Sequence, residues 1–226
     1  MALFILGSVF LGFARTYYLA GIYHAHVRSL LIQVHGAVFS TWILLLAVQT
    51  TLVARNNISL HRRLGFFGAG LAVAMVGLGI AAATDSLSRS FAPPGFPFGP
   101  LAFYAHPISA IATFAVLIFF SIRLRSNGPA HKRLVLLATL TLIGAAIDRW
   151  PFAFIQRSHL MTNVILDLLV LSIVVFDLST LRRIHRATLL GGLLVAATNH
   201  LAVPIGTTPG WQKIATFALH VWGGIH

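Results

Sequence analysis

Residues 30–54 read LLIQVHGAVFSTWILLLAVQTTLVA, a run of 25 residues without Asp, Glu, Lys or Arg. A helix of about 20 mostly apolar residues crosses the hydrocarbon core of a bilayer, at about 1.5 Å per residue. The run is solid rather than alternating, so it does not read as a strand of a membrane barrel. It reads as a transmembrane helix carrying one titratable side chain, His35.

Six further segments outward from this one have the same character. The spans are read as approximately 2–22, 30–54, 64–84, 101–122, 134–152, 161–181 and 187–204. The expected fold is all-α: a polytopic membrane helical bundle of about seven transmembrane helices, built from repeated helical hairpins in a single transmembrane domain over residues 1–226. Composition agrees. The chain has 226 residues, 58% hydrophobic and 9% charged, where soluble domains carry about 25% charged residues. It holds four acids, all Asp, and no Glu. A soluble protein of this length needs more polar surface than that.

The first span is weakened by Arg15, which must snorkel to an interface. Met1–Ala14 has no basic residue before it and no small-residue cleavage pattern after it, and reads as a retained helix rather than a cleaved signal peptide. The tail after Pro209 reads as an interfacial helix. Residues 86–100 hold four prolines and two glycines and read as an irregular outer loop.

The net charge is +12. In a membrane chain this reports topology and contact with anionic lipid headgroups, not nucleic acid. The loops after spans two, four and six carry Arg55, Arg62, Arg63, Arg123, Arg125, Lys132, Arg133, Arg182, Arg183 and Arg186, ten of the 16 basic residues. The positive-inside rule then places the N-terminus in the cytoplasm. With no Cys, disulfides, thiolate metal sites and iron–sulfur clusters are excluded.

Eleven histidines are the anomaly, because intramembrane titratable groups usually serve function. His35 and His61 are 26 residues apart, His106 and His131 25, and His159 and His185 26. Each pair places an outer and an inner histidine at the ends of one hairpin. The inner members share a context: His61-Arg62-Arg63-Leu64, His131-Lys132-Arg133-Leu134 and, more loosely, His185-Arg186. A helical hairpin spaces interfacial residues by one helix length in any case, so the repeat has a plain structural reading as well.

The sharper reading is b-type haem. A low-spin haem takes two axial histidines from facing helices. His35 with His106 would serve near the outer face and His61 with His131 near the inner face. Arg62, Arg63, Lys132 and Arg133 could pair with the propionates. This pattern resembles the diheme transmembrane cytochrome b family of ascorbate oxidation and ferric reduction, over about Leu30 to Trp150. The resemblance implies electron transfer through the membrane, with quinol or other membrane-complex subunits as partners. The shallow positions of His61 and His131 and the extra helices depart from that family. The strings His35-Gly36-Ala37-Val38-Phe39-Ser40-Thr41-Trp42 and Leu60-His61-Arg62-Arg63-Leu64-Gly65 also resemble a group of uncharacterised bacterial seven-helix membrane proteins. That likeness implies a bacterial inner-membrane location and no particular activity.

Two alternatives stand beside haem. His24, His26 and His159, with His35 and His106, could hold zinc or copper in a membrane enzyme. Seven-helix zinc hydrolases share the topology, but their metal motif is poorly matched by Asn199-His200. The chain could also be an accessory subunit of a larger membrane complex, with the glycines of span three favouring close helix contacts. Asp148-Arg149 reads as a local ion pair, Asp167 as a partner of Arg149 or Arg157, and Asp177 as a partner of Arg182 or Arg183.

Overall fold

The computed structural model describes residues 1–25, 29–93, 96–156 and 159–224. All regular structure among them is helical. The helices are α1 (Ala2–Phe13), α2 (Leu30–Ala54), α3 (Ile58–Ser88), α4 (Gly99–Phe103), α5 (Ala105–Arg123), α6 (Gly128–Ile147), α7 (Ala153–Gln156), α8 (His159–Leu181), α9 (Arg186–Gly206) and α10 (Pro209–Gly223). A single π-helical turn, Ala14–Tyr18, continues α1.

Among the described residues, six helices are long and apolar enough to cross a membrane: α2, α3, α4 with α5, α6, α8 and α9. The apolar helix Ala2–Tyr18 is shorter than these. The boundaries of α2 agree with the run read from sequence. Helix α3 starts six residues before the expected Leu64, because its basic first turn is already helical and Asn57 Oδ1 accepts the Leu60 amide at 3.2 Å. Helix α6 starts at Gly128 and ends at Ile147 rather than at Phe152. Pro151 follows closely and disfavours helical backbone in the residue before it. The tail after Pro209 is helical, as expected.

Helix α8 shows the inside-out pattern of a chain solvated by lipid. Leu160, Val164, Leu168, Leu171, Val175 and Leu178 are exposed at helical spacing. Thr162, Leu166, Ile173 and Asp177 are buried on the other side. Thr162 and Asp177 lie inward, where hydrogen-bond partners are available that a bilayer does not offer.

The chain divides into two compact units. The first comprises Met1–Leu78 and Ile143–Thr162. In it, α1 meets the end of α6 at Gly12, where a Cβ would run into the Ala146 carbonyl. This is the small-residue contact that lets membrane helices approach backbone to backbone. Nearby, the Trp150 indole donates to the Ser8 carbonyl at 3.1 Å. The turn after α1 is fixed to α2 by Tyr17, whose hydroxyl donates to the Gln33 carbonyl at 3.0 Å, and by Tyr18, 2.7 Å from Ser40 Oγ.

The second unit comprises Gly79–Leu142 and Asn163–His226. Here α5 and α9 are joined by the buried hydroxyls of Thr113 and Thr198, 2.6 Å apart. Gly206 admits the Ala102 carbonyl where a Cβ would stand. Trp211 of α10 donates its indole N–H to the Leu101 carbonyl at 3.0 Å. Tyr104, Leu87 and Ala215 pack beside it.

Candidate functional site

His35 stands about one and a half turns into α2. Its ring lies 4.1 Å from that of Phe39, centroid to centroid, and hydrogen-bonds to the backbone of Leu78 on α3. Its Nδ1 is buried and has no hydrogen-bond partner among the described residues. Gly36 beside it is forced by packing: a Cβ there would come within 2.5 Å of the Tyr17 ring. An imidazole nitrogen left unsatisfied in such a place either costs free energy or serves a ligand.

His61 and His131 occupy equivalent places. Asn57 and Asn127 cap their helices through Oδ1, each accepting the amide of the residue three positions on, at 3.2 Å in both cases. His61 and His131 follow one residue later, and their amides donate to the Asn57 and Asn127 carbonyls at 3.1 and 2.9 Å. The repeated unit is therefore Asn-x-x-x-His, a helix start with its cap. The Asn cap is visible in the sequence, and the histidine repeat overshadowed it. The Gln49 amide donates to the His61 carbonyl at 3.2 Å, tying α2 to α3. His131 Nδ1 lies 2.9 Å from Ser121 Oγ and 3.1 Å from the Ser121 carbonyl on α5. A bond from Nδ1 to a carbonyl fixes the tautomer whose Nε2 carries the lone pair, the form in which histidine ligates metals.

The third inner histidine departs from the plan. His185 is itself the cap of α9, its Nδ1 accepting the Ala187 amide at 3.1 Å. Its pKa is lowered by burial first and then by the charge of Arg133, against an opposing effect of Asp177, with Arg183 and Lys132 adding to the lowering.

His106 begins α5 and stacks on Phe103 at 6.3 Å. His24 is exposed in a turn with φ of 50°. His26 and the side chain of His159 lie outside the described residues. No three His or Asp side chains among the described residues converge on a point that could hold a metal ion. The outer haem pair, His35 and His106, and the inner pair, His61 and His131, each take one member from each compact unit.

Arg62 and Arg63 are exposed on the first turns of α3. Arg133 is buried, and the carboxylate it meets is Asp177 on α8. Both Nε, at 2.9 Å, and Nη2 of Arg133 donate to Asp177 Oδ1. Thr188 Oγ1, at 2.5 Å, and the His185 amide, at 3.0 Å, donate to Oδ2. This corrects the expected pairing of Asp177 with Arg182 or Arg183. Two other acids also find different partners. Asp148 accepts from Thr162, while Arg149 donates to the Ala145 carbonyl. Asp167 meets His200 Nε2 at 2.8 Å on an exposed face. Thr162, His200 and Arg133 lie 14, 33 and 44 residues from the acids they meet, too far for local sequence to name.

Comparison with family models, with characterised proteins and with solved structures returns no match.

Proposed function

We propose that this chain is an integral membrane protein that binds b-type haem and carries electrons across or within a bacterial inner membrane. The observation that carries the reading is His35: a buried imidazole in an apolar span, held by Phe39 and Leu78, with Nδ1 lacking a partner among the described residues. His35, His106, His61 and His131 are the candidate ligands. Bound haem supplies one-electron chemistry that no side chain here can supply. Ser121 orients the His131 ring. Arg62 and Arg63 place positive charge at the start of α3 for anionic substituents. Arg133 is held by Asp177 and contributes to the frame rather than to that role.

In this reading the chain has seven spans, with Ala2–Tyr18 as a short first one, and the N-terminus is cytoplasmic. Quinol or the subunits of a larger membrane complex are the partners. The test is the haem and metal content of the purified full-length protein. Stoichiometric b-type haem is expected. A colourless protein holding zinc or copper overturns the reading in favour of a metal enzyme. A protein with neither, isolated with larger subunits, favours an accessory role.

A further inference from the structure

Between the first turn of α6 and the last turn of α8 lies an open cleft of about 400 Å³, within the size range of small-ligand sites. Asn127, Pro129, Lys132 and Arg133 line it from α6, and Phe176, Arg183 and His185 from α8 and the turn after it. It lies wholly within the second unit. It is also distinct from the His131 ring, which reaches Ser121 on α5, whereas Arg133 reaches Asp177 on α8.

The charges in the cleft do not cancel. Asp177 is fully buried beneath it and neutralises Arg133. Lys132 and Arg183 remain at its rim, and both are exposed. The other three acids of the chain, Asp85, Asp148 and Asp167, do not line it. Lys132 Nζ lies 5.8 Å from the centre of the Phe176 ring, which holds the ammonium against the apolar wall at the mouth. The N-terminal end of α6, the positive end of its helix dipole, opens on the same space. Asn127 Oδ1 is used in capping, so the remaining hydrogen-bonding capacity of that side chain lies mainly in its donors. The pKa of His185 is lowered by burial first and then by Arg133, with Arg183 and Lys132 acting the same way and Asp177 opposing them.

The recognising chemistry is therefore cationic and rich in donors, beside an apolar wall. We propose that this cleft binds a phosphate group, in the membrane that of an anionic phospholipid headgroup, between Lys132 and Arg183. Phe176 continues the lipid-facing surface of α8 at 50% exposure, so acyl chains can run down the helix from a headgroup seated there. Basic recesses between helices on the cytoplasmic side are a recurrent setting for anionic headgroups.

The experiment uses the full-length protein in phosphatidylcholine nanodiscs, with fluorescent phosphatidylglycerol as one probe and inorganic phosphate as the other. The Lys132→Gln/Arg183→Gln variant is expected to bind the lipid about tenfold more weakly than wild type. Arg123→Gln/Arg125→Gln removes equal charge from the same side outside the cleft and is expected to bind as wild type does. Competition by inorganic phosphate identifies the phosphate as sufficient, and lack of competition shows that the whole headgroup is read. Circular dichroism establishes that each variant is folded. If the double variant is not folded, Arg183→Gln alone, at an exposed position, is expected to weaken binding and reduce its salt dependence. Undiminished binding in folded cleft variants, or equal loss in both double variants, overturns the proposal.

Discussion

Arg133 and Asp177, 44 residues apart in the chain, form a buried ion pair joining α6 to α8, with Nε of the arginine 2.9 Å from Oδ1 of the aspartate. Asp177 is fully buried and Arg133 is 4% exposed. Both lone-pair sides of the carboxylate are used, because Thr188 and the His185 amide take Oδ2. A buried pair repays its desolvation only when its remaining hydrogen-bonding capacity is met. Here Pro129 also accepts from Arg133 Nη1, at 2.8 Å.

Removing one partner should cost more than removing both. Asp177→Asn leaves a buried guanidinium without its counter-charge, and a loss of about 3–5 kcal/mol is expected. Arg133→Met combined with Asp177→Leu should recover much of that. Unfolding of wild type, Arg133→Met, Asp177→Leu and the double variant in one detergent, arranged as a double-mutant cycle, measures the coupling. Strict additivity would remove the pair from the account of the fold.

Glycines that look alike in α1 should respond oppositely. Gly12→Ala must push α1 off the Ala146 carbonyl, an overpacking cost of about 1–3 kcal/mol. At Gly7 an added Cβ meets nothing within 4 Å, so Gly7→Ala should stabilise the helix by about 0.5–1 kcal/mol. Melting temperatures that fall for Gly12→Ala and rise for Gly7→Ala bear this out.

The Asn caps should be worth similar amounts. Asn57→Ala and Asn127→Ala each remove one side-chain acceptor from a helix start, at about 0.5–2 kcal/mol. Hydrogen exchange is expected to quicken in the first turns of α3 and α6 and nowhere else in the respective units.

Acid should loosen the start of α9. His185 has a folded-state pKa below its ordinary 6.5, so its contribution is fully present above 6.5 and is lost as pH falls through the lowered value. The structural cause is direct: Nδ1 accepts the Ala187 amide, and a proton on that nitrogen ends the cap. Exchange at Ala187 and the residues after it should accelerate below pH 6.5 in wild type. His185→Asn keeps an acceptor that does not titrate there and should abolish the pH dependence.

The membrane class and the α2 boundaries could be read directly, because 25 consecutive uncharged residues admit few structures. The inner histidine repeat also carried real local structure, since His61 and His131 sit at the same step after an Asn cap. His185 broke the repeat because it caps its helix itself. The pairing of Asp177 was out of reach. Arg182 and Arg183 are nearer in sequence, but the chain leaves the helix at Arg182, with φ of 56°, and burial on the α6 side brings Arg133 to the carboxylate instead. The end of α6 was legible in Pro151, although the apolar character of Trp150 and Phe152 pointed past it. The partner of Asp167, His200, comes from a helix whose facing no local pattern discloses.

The most direct measurement is the reduced-minus-oxidised optical spectrum of the purified protein and of its His35→Ala variant. A b-type band is expected in wild type and is expected to be diminished or shifted in the variant, with helicity unchanged by circular dichroism. A folded wild-type protein that shows no such band after expression with ample haem, or a band indifferent to His35, would contradict the haem reading.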